Sequence, residues 1–431
     1  MYKLVLPLAI AAAWPCHTQA QTTPFASAPV VATAGPASLP APAGSPLLLA
    51  GALSRVLQAN PDLRTGALEI GALSGAVMQA GTTPNPELAT LVEDAREPAR
   101  TTTVQLNVPI ELGGKRAARI QAAQLGQDAA GAELAVKRNA VLASARAAFY
   151  DLLAAQQRQQ IASETLALAD GALAAAAKRV LAGKNSPVDE TRARIAASSV
   201  KVDLVQAGGE LAAAKNRLAA LWGGAGADIG HVEGRLDRLP AQPGLPQLMA
   251  QLNAAPAVQL AQIELARRQA LSQVERAGRV PDLTVSIGAK REQQAGRNQA
   301  VFGLAIPLPL FDRNQGKLHE ALQRSDKAQV ELDGARARLA SELAQAHDAL
   351  AVAREQAHLL SDDILPAAQS AYEAARTGFE YGKFNFIDVI DAQRTLLQAR
   401  TQHLRALADA HCAAAGIDSI LGAQGATQTV E

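Results

Sequence analysis

Cysteine is nearly absent from this chain of 431 residues, which contains Cys16 and Cys412 and no other. The chain begins MYKLVLPLAIAAAWPCHTQAQ, with a lysine, an apolar run of about eleven residues and small residues near Ala20, the layout of a secretory signal peptide. We predict a signal peptide at 1–20. Its removal leaves Cys412 alone, so no intramolecular disulfide can form and packing must stabilise the exported chain. The bulky residues of AWPC argue against a lipoprotein signal.

An excess of charge of one sign is also missing. The chain has 41 Lys and Arg residues against 40 Asp and Glu residues, a formal net charge of +1. This balance gives no electrostatic basis for binding nucleic acid. The N-terminal apolar run is too short to cross a bilayer as a helix.

Sequence motifs of enzymes are lacking as well. The chain has no phosphate loop, nucleotide fingerprint, nucleophile elbow or catalytic zinc spacing, so we predict neither an enzyme nor a bound cofactor. The histidines of the exported chain show no close pairing, which predicts no tight metal site. These histidines are His231, His319, His347, His358, His403 and His411.

An internal repeat is what the sequence does contain. The segment VQLNVPIELGGKRAARIQAA matches FGLAIPLPLFDRNQGKLHEA with an offset of about 198 residues. We predict repeats at 48–224 and 246–422, joined by a linker at 225–245 and followed by a tail at 423–431. Each repeat reads helix, strand, strand, very long helix, turn, helix. The uncharged Pro- and Ala-rich segment 21–47 is predicted to be a flexible leader.

Two segments predict helices longer than those of ordinary globular proteins. Residues 114–183 contain no proline and many strong helix formers, which predicts a helix of about 100 Å. Residues 316–378 are similar but contain Pro366. In this segment Leu332, Leu339, Ala346, Ala353 and Leu360 recur every seven residues. A second series, Leu343, Leu350, Ala357 and Ile364, lies four positions after the last four of them, and the two series together form a heptad seam. Helices of about half this length are predicted at 49–82, 187–222, 246–280 and 385–421, and these lengths favour an antiparallel bundle.

Four segments alternate apolar and polar residues. In TTTVQLNVPIEL, PDLTVSIGAK, the stretch from Phe302 to Leu308 and, more weakly, 86–95, every second residue is apolar. Strands of about ten residues with one apolar face suit a membrane β-barrel, although two hairpins on a soluble core give the same alternation. Four strands cannot close a barrel, and open edges are excluded from lipid. The membrane interpretation therefore requires several copies of the chain.

With these features the chain resembles the outer-membrane efflux proteins of the TolC type over residues 48–422. The resemblance implies a homotrimer with a twelve-stranded membrane β-barrel continued by a long periplasmic α-helical barrel. PIELGGKRAARI and IPLPLFDRNQGKL are similar to the CzcC-like branch, which exports cobalt, zinc, cadmium and nickel. Membership would make the chain the outer-membrane channel of a tripartite pump. Its partners would be a periplasmic adaptor, a proton-driven inner-membrane pump of the RND type and outer-membrane lipid.

The same resemblance assigns roles to residues of FEYGKFNFIDVIDAQRT. Asp388 and Asp391 fall on two aspartates that ring the periplasmic mouth and attract cations, and Asp189 is their counterpart one repeat earlier. The alternative is that these carboxylates only favour the start of a helix, which we prefer for Asp189. The family's gate carries a tyrosine and an arginine where this chain has Phe379 and Phe384.

Two further sets of residues follow from the resemblance. Phe379, Phe384 and Phe386 are candidates for a hydrophobic constriction, with packing between hairpins as the alternative. The turns LAGKNS and EYGKFN match the tips that contact the adaptor. Their candidate contact residues are Gly183, Lys184, Gly382 and Lys383.

Two other functions fit part of the sequence. A periplasmic coiled-coil adaptor would also have a signal peptide and long helices, but it would not need paired amphipathic strands in both repeats. A channel of the same fold could instead serve drugs or secreted polypeptides. The ELGGKR motif and the aspartates favour cations over that cargo.

Overall fold

The computed structural model describes residues 46–94, 96 and 99–422. The predicted signal peptide at 1–20, the tail at 423–431 and all but the last two residues of the leader lie outside the described residues. Leu47, the last residue of the predicted leader, belongs to a short strand that pairs in parallel with Val232. The leader therefore ends before Leu47, because this residue is buried in a two-strand contact.

The described residues form nine helices and six strands in a repeated order. The helices are α1 (Leu49–Ala59), α2 (Pro61–Ala80), α3 (Lys115–Leu181), α4 (Pro187–Ala220), α5 (Leu245–Gln251), α6 (Pro256–Ala277), α7 (Gln315–Leu359), α8 (Leu365–Glu380) and α9 (Phe386–Leu421). The strands are β1 (Leu47–Leu48), β2 (Glu87–Glu93), β3 (Thr101–Ile110), β4 (Val232–Glu233), β5 (Leu283–Glu292) and β6 (Arg297–Ala305).

Proline interrupts the first predicted helix of each repeat at the same place. The helix predicted at 49–82 breaks at Asn60 before Pro61, and that at 246–280 breaks before Pro256. Proline lacks an N–H group and drives the preceding residue out of the helical conformation. Asn60 stabilises the break, because its side chain accepts from Leu63 N at 3.1 Å and donates to Leu221 O at 2.8 Å.

The two very long helices differ in continuity. As predicted, α3 is unbroken over 67 residues, about 100 Å at 1.5 Å per residue. The second long helix contains a π-helical turn at Leu360–Ile364, between α7 and α8 and just before Pro366. The predicted heptad residues are buried or half-buried as far as Leu360, whereas Ile364 is 44% exposed. Ile364 was wrongly placed on the seam because the wider turn rotates the residues that follow it.

The short helices stack end to end along α3. The N-terminal half of α3 packs against α2 and α6, and its C-terminal half packs against α4 and α9. Helix α6 in turn packs against α7. The predicted match between one long helix and two shorter ones is confirmed. Among the residues that the structure describes, no helix has both the length and the apolar character needed to cross a bilayer.

Strands β2, β3, β5 and β6 form one antiparallel sheet in that order. The register places Leu106 opposite Ile287, and Ile287 opposite Phe302, so the apolar residues share one face. All three of these side chains are exposed. The prediction that Ile306 and Leu308 continue the last strand was wrong, because β6 ends at Ala305 before Pro307 and Pro309, which cannot donate to a ladder.

The opposite face of this sheet is polar. Ser286 Oγ donates to Asn107 Oδ1 at 2.7 Å, and Lys290 Nζ lies 3.4 Å from Glu93 Oε2 across the strands. These contacts join polar side chains of neighbouring strands, whereas the described residues leave the apolar face without cover. This is the reverse of a sheet packed on a soluble core.

Candidate functional site

Two helix hairpins end in turns with the same geometry. Residues 182–186 join α3 to α4, and residues 381–385 join α8 to α9. Gly183 has φ 66° and Gly382 has φ 71°, a left-handed conformation that glycine adopts without a steric penalty. Lys184 N donates to Arg179 O at 2.9 Å, and in the second turn Lys383 N donates to Gly378 O at 2.7 Å. Both turns are therefore Schellman motifs, which end a helix sharply.

The candidate contact residues lie within these turns. Gly183, Lys184, Gly382 and Lys383 are all exposed. Within the described part of the chain neither lysine ammonium has a hydrogen-bond or ion-pair partner. The turns thus expose four residues, two of them cationic, that a partner protein could contact.

Asp388 and Asp391 occupy the first turns of α9 and are both exposed. Asp388 Oδ2 accepts a hydrogen bond from Asn385 N at 3.0 Å and completes a capping box. The Asp391 carboxylate has no protein partner among the described residues. Residues three apart lie on one side of a helix, so the two carboxylates point away from the hairpin together. Capping uses one oxygen of Asp388 and leaves the other accessible.

Asp189 is the third residue of α4, as Asp388 is of α9. It is half-buried and accepts a hydrogen bond from Asn185 Nδ2 at 3.2 Å. Its carboxylate therefore takes part in the local structure of the α4 start, which supports the capping interpretation preferred for this residue.

The three phenylalanines of the second hairpin have different surroundings. Phe379 is 7% exposed and Phe386 is 3% exposed, with their ring centres 5.3 Å apart. Both belong to a core of small residues between the hairpins that includes Ala176 and Ala193. Phe384 is 51% exposed and lies over Gly378, where a side chain would collide with its ring. Burial assigns Phe379 and Phe386 to packing, and only Phe384 remains available to a constriction.

Arg179 connects the two hairpins, and the sequence did not reveal it. Its guanidinium carbon lies 4.5 Å from the centre of the Phe379 ring, and its Nη1 donates to the Phe379 carbonyl oxygen. The cation stacks on the aromatic face and also satisfies a carbonyl near the C-terminal end of α8. Arg179 thus holds the end of α3 against the end of α8.

Replacement of Arg179 by Gln is expected to loosen the second hairpin. A hydrogen bond from a charged group contributes about 1.5–3 kcal/mol, so chymotryptic cleavage after Tyr381 and Phe384 should rise about tenfold. Limited proteolysis at low protease concentration measures this. Lys178→Gln is the matched control, because Lys178 is exposed and has no partner among the described residues. Equal cleavage of both variants would contradict a connecting role for Arg179.

Candidate metal-ligating residues are dispersed through the described residues, where no group of three His, Cys, Asp or Glu residues could hold an ion. His411 is stacked on Tyr150, with ring centres 3.7 Å apart, and its Nε2 lies 3.1 Å from Leu236 O. Burial, together with Asp151 and Asp409, raises the pKa of the Cys412 thiol to about 12. Cys412 is therefore a protonated packing residue near neutral pH.

Comparison with known proteins agrees with this architecture. The model of the outer membrane efflux protein family matches residues 52–224 and 248–423. The cobalt-zinc-cadmium resistance protein CzcC of Cupriavidus metallidurans is 45% identical over 98% of this chain and 100% of its own length. The nickel-cobalt-cadmium resistance protein NccC of Alcaligenes xylosoxydans xylosoxydans is 30% identical over 66% of each chain.

Solved structures show the same fold. CusC superposes with a TM-score of 0.74 at 21% identity, covering 87% of this chain and 92% of CusC. VceC of Vibrio cholerae gives a TM-score of 0.73 at 21% identity, covering 87% of this chain and 96% of VceC. The fold is thus that of the TolC-like outer-membrane channels, and with two matches to the family model the chain belongs to the outer membrane efflux protein family.

Proposed function

We propose that this chain is the outer-membrane channel subunit of a tripartite RND-type pump that exports divalent heavy-metal cations, among them cobalt, zinc, cadmium and nickel. The observation that supports metal cations as the cargo is the 45% identity with CzcC over nearly the whole of both chains. In this proposal residues 1–20 direct export, 48–224 and 246–422 are the two channel repeats, and 225–245 joins them.

Unsatisfied edges on both sides of the chain support a homotrimer. Strands β2 and β6 are the outer strands of the sheet, each with one ladder partner among the described residues. Open strand edges cannot remain in lipid. Head-to-tail association of copies would pair β6 of one with β2 of the next. Three copies then give a closed barrel of about twelve strands, within the range of membrane barrels.

The helical part offers matching edges. On α4 the exposed residues Val188, Ile195 and Val202 recur every seven positions, and on α7 Val352 and Leu359 do the same. Helix α4 lies at one edge of the helix layer and α7 and α8 lie at the other. A heptad stripe on each edge is suited to coiled-coil packing between neighbouring copies.

The hairpin ends would form the periplasmic mouth of this ring. Three copies bring Asp388 and Asp391 together as six carboxylates around one opening, which favours cations through the local potential. A periplasmic adaptor would contact the exposed turns at Gly183, Lys184, Gly382 and Lys383. The inner-membrane pump supplies the energy, and the channel itself is passive: its family is one of transport proteins and not of enzymes.

Growth of a strain that lacks the gene tests the cargo. With the gene restored, we expect recovery of growth on zinc, cobalt, cadmium and nickel at concentrations several-fold higher than the deletion strain tolerates, and no change on a panel of organic toxins. The empty vector is the control. Recovery confined to the organic toxins would support a drug channel of the same fold and overturn the metal cargo.

A further inference from the structure

A cavity of about 560 Å³ lies where the sheet joins the helices. It is formed by the start of α3, the end of α6 and the segment between β6 and α7. Strand β5, which leads out of α6, lies between β3 and β6, so the walls from α3 and α6 lie beside the middle of the sheet, and the third wall follows the outer strand β6. Its charged lining residues are Lys115, Arg119, Glu275, Arg279, Asp282, Asp312, Arg313 and Lys317.

The three carboxylates of this lining are already engaged. Asp282 Oδ1 lies 2.7 Å from Lys115 Nζ. Glu275 Oε2 accepts from Asn314 Nδ2 at 2.7 Å, and Asp312 Oδ1 accepts from Asn314 N at 2.9 Å. These contacts connect α6 to the start of α7, and β5 to the start of α3. Lys115 compensates the charge of Asp282, whereas the hydrogen bonds from Asn314 leave Glu275 and Asp312 with their negative charges.

Three cations of the lining have no such partner. Arg279 follows α6, Arg313 precedes α7 and Lys317 is in the first turn of α7. All three are exposed, and none of their side chains has a hydrogen bond or an ion pair within the described residues. Together with the charges of Glu275 and Asp312 they leave an excess of one positive charge, and their unpartnered N–H groups can donate charge-assisted hydrogen bonds to an anionic ligand.

An apolar segment forms one wall of the same cavity. Pro307, Leu308 and Pro309 line it, and the segment continues to Phe311, which is 90% exposed. Exposed aliphatic and aromatic side chains beside basic residues are typical of the boundary between hydrocarbon and headgroups. The segment directly follows β6, whose apolar face is also exposed.

We propose that this cavity binds the phosphate headgroup of an anionic phospholipid of the periplasmic leaflet, with the acyl chains against the segment from Pro307 to Phe311. The proposal rests on the proposed function, because that function places β6 in the membrane. Arg279, Arg313 and Lys317 hold the phosphate, and the apolar wall distinguishes a lipid from a soluble anion. The site ties the start of α7 to the membrane surface.

Native mass spectrometry of the protein extracted from outer membranes in mild detergent tests the site. The probes are dioleoylphosphatidylglycerol, dioleoylphosphatidylcholine and inorganic phosphate. We expect the wild type to retain phosphatidylglycerol at least tenfold more tightly than phosphatidylcholine. Each basic side chain near an anionic lipid contributes about a factor of five, so the triple variant R279Q/R313Q/K317Q should lose this preference. Millimolar inorganic phosphate should not displace the lipid.

The matched control is R192Q/K201Q/R238Q, which removes two arginines and one lysine that are exposed and lie far along the chain from the cavity. It should keep the preference of the wild type. Equal binding of both lipids by the wild type, an unchanged preference in R279Q/R313Q/K317Q, or displacement by phosphate would each overturn the site. Protein that is absent from outer membranes would instead overturn the proposed function, and loss of metal rescue leaves the lipid readout unchanged.

Discussion

Replacement of Gly113 by alanine is expected to lower the free energy of unfolding by about 3 kcal/mol, from backbone strain and overpacking together. Gly113 has φ 73°, and a Cβ atom there would lie 2.6 Å from Val280 Cβ and 3.2 Å from Ala277 O. Neither neighbour can move without moving the end of α6. The lack of a side chain at Gly113 therefore allows the chain to pass from β3 into α3 in close contact with the end of α6.

Gly114→Ala is the matched control for this change. Gly114 has the same φ of 73°, but a Cβ atom there would meet nothing within 4 Å. The control should cost about 1–2 kcal/mol, the strain of a left-handed residue alone. Urea titration of the detergent-solubilised protein, followed by circular dichroism, measures both variants. Equal losses would show that the approach to Val280 does not limit the packing of this junction.

Neutralising the two exposed aspartates at the start of α9 is expected to reduce cation selectivity strongly. In a trimer, Asp388→Asn with Asp391→Asn removes six negative charges from one opening. Cation conductance in planar bilayers should fall about threefold or more, because the local potential that concentrates cations is lost. The stability of the trimer should hold, since an asparagine oxygen at 388 can still accept the hydrogen bond from Asn385 N.

A second acidic pair provides the control for this experiment. Asp362 and Asp363 are exposed in the π-helical turn, and the whole length of α8 separates them from the turn at 381–385. Asp362→Asn with Asp363→Asn removes the same number of charges and should leave conductance unchanged. If the α9 variant kept the conductance and selectivity of the wild type, the ring of carboxylates would be contradicted, and Asp388 would act only as a helix cap.

Local signals were sufficient to predict most of the fold. The absence of proline in 114–183 predicted α3, and alternation predicted all four strands of the larger sheet. The breaks at Pro61 and Pro256 were missed, although proline is a local signal that interrupts a helix. The register shift at Ile364 was missed because a π-helical turn changes the helical period, which a heptad count assumes to be constant.

Less of the candidate site could be predicted from the sequence. Gly183 and Gly382 marked both turns, because a tight reversal needs a left-handed residue. The contact of Arg179 with Phe379 joins residues of different repeats, and no local pattern reports such a pair. Likewise, the burial of Phe379 and Phe386 depends on how the two hairpins pack against each other. The aspartates were placed by resemblance, and their role stays a prediction.

Native mass spectrometry of the unheated particle, extracted from outer membranes in mild detergent, tests the proposed assembly. Strands β2 and β6 are the outer strands of the sheet, and we propose that one copy supplies a third of a closed channel. We expect a particle of three chains that separates into single chains on heating. A stable single chain in the outer membrane would contradict this proposal.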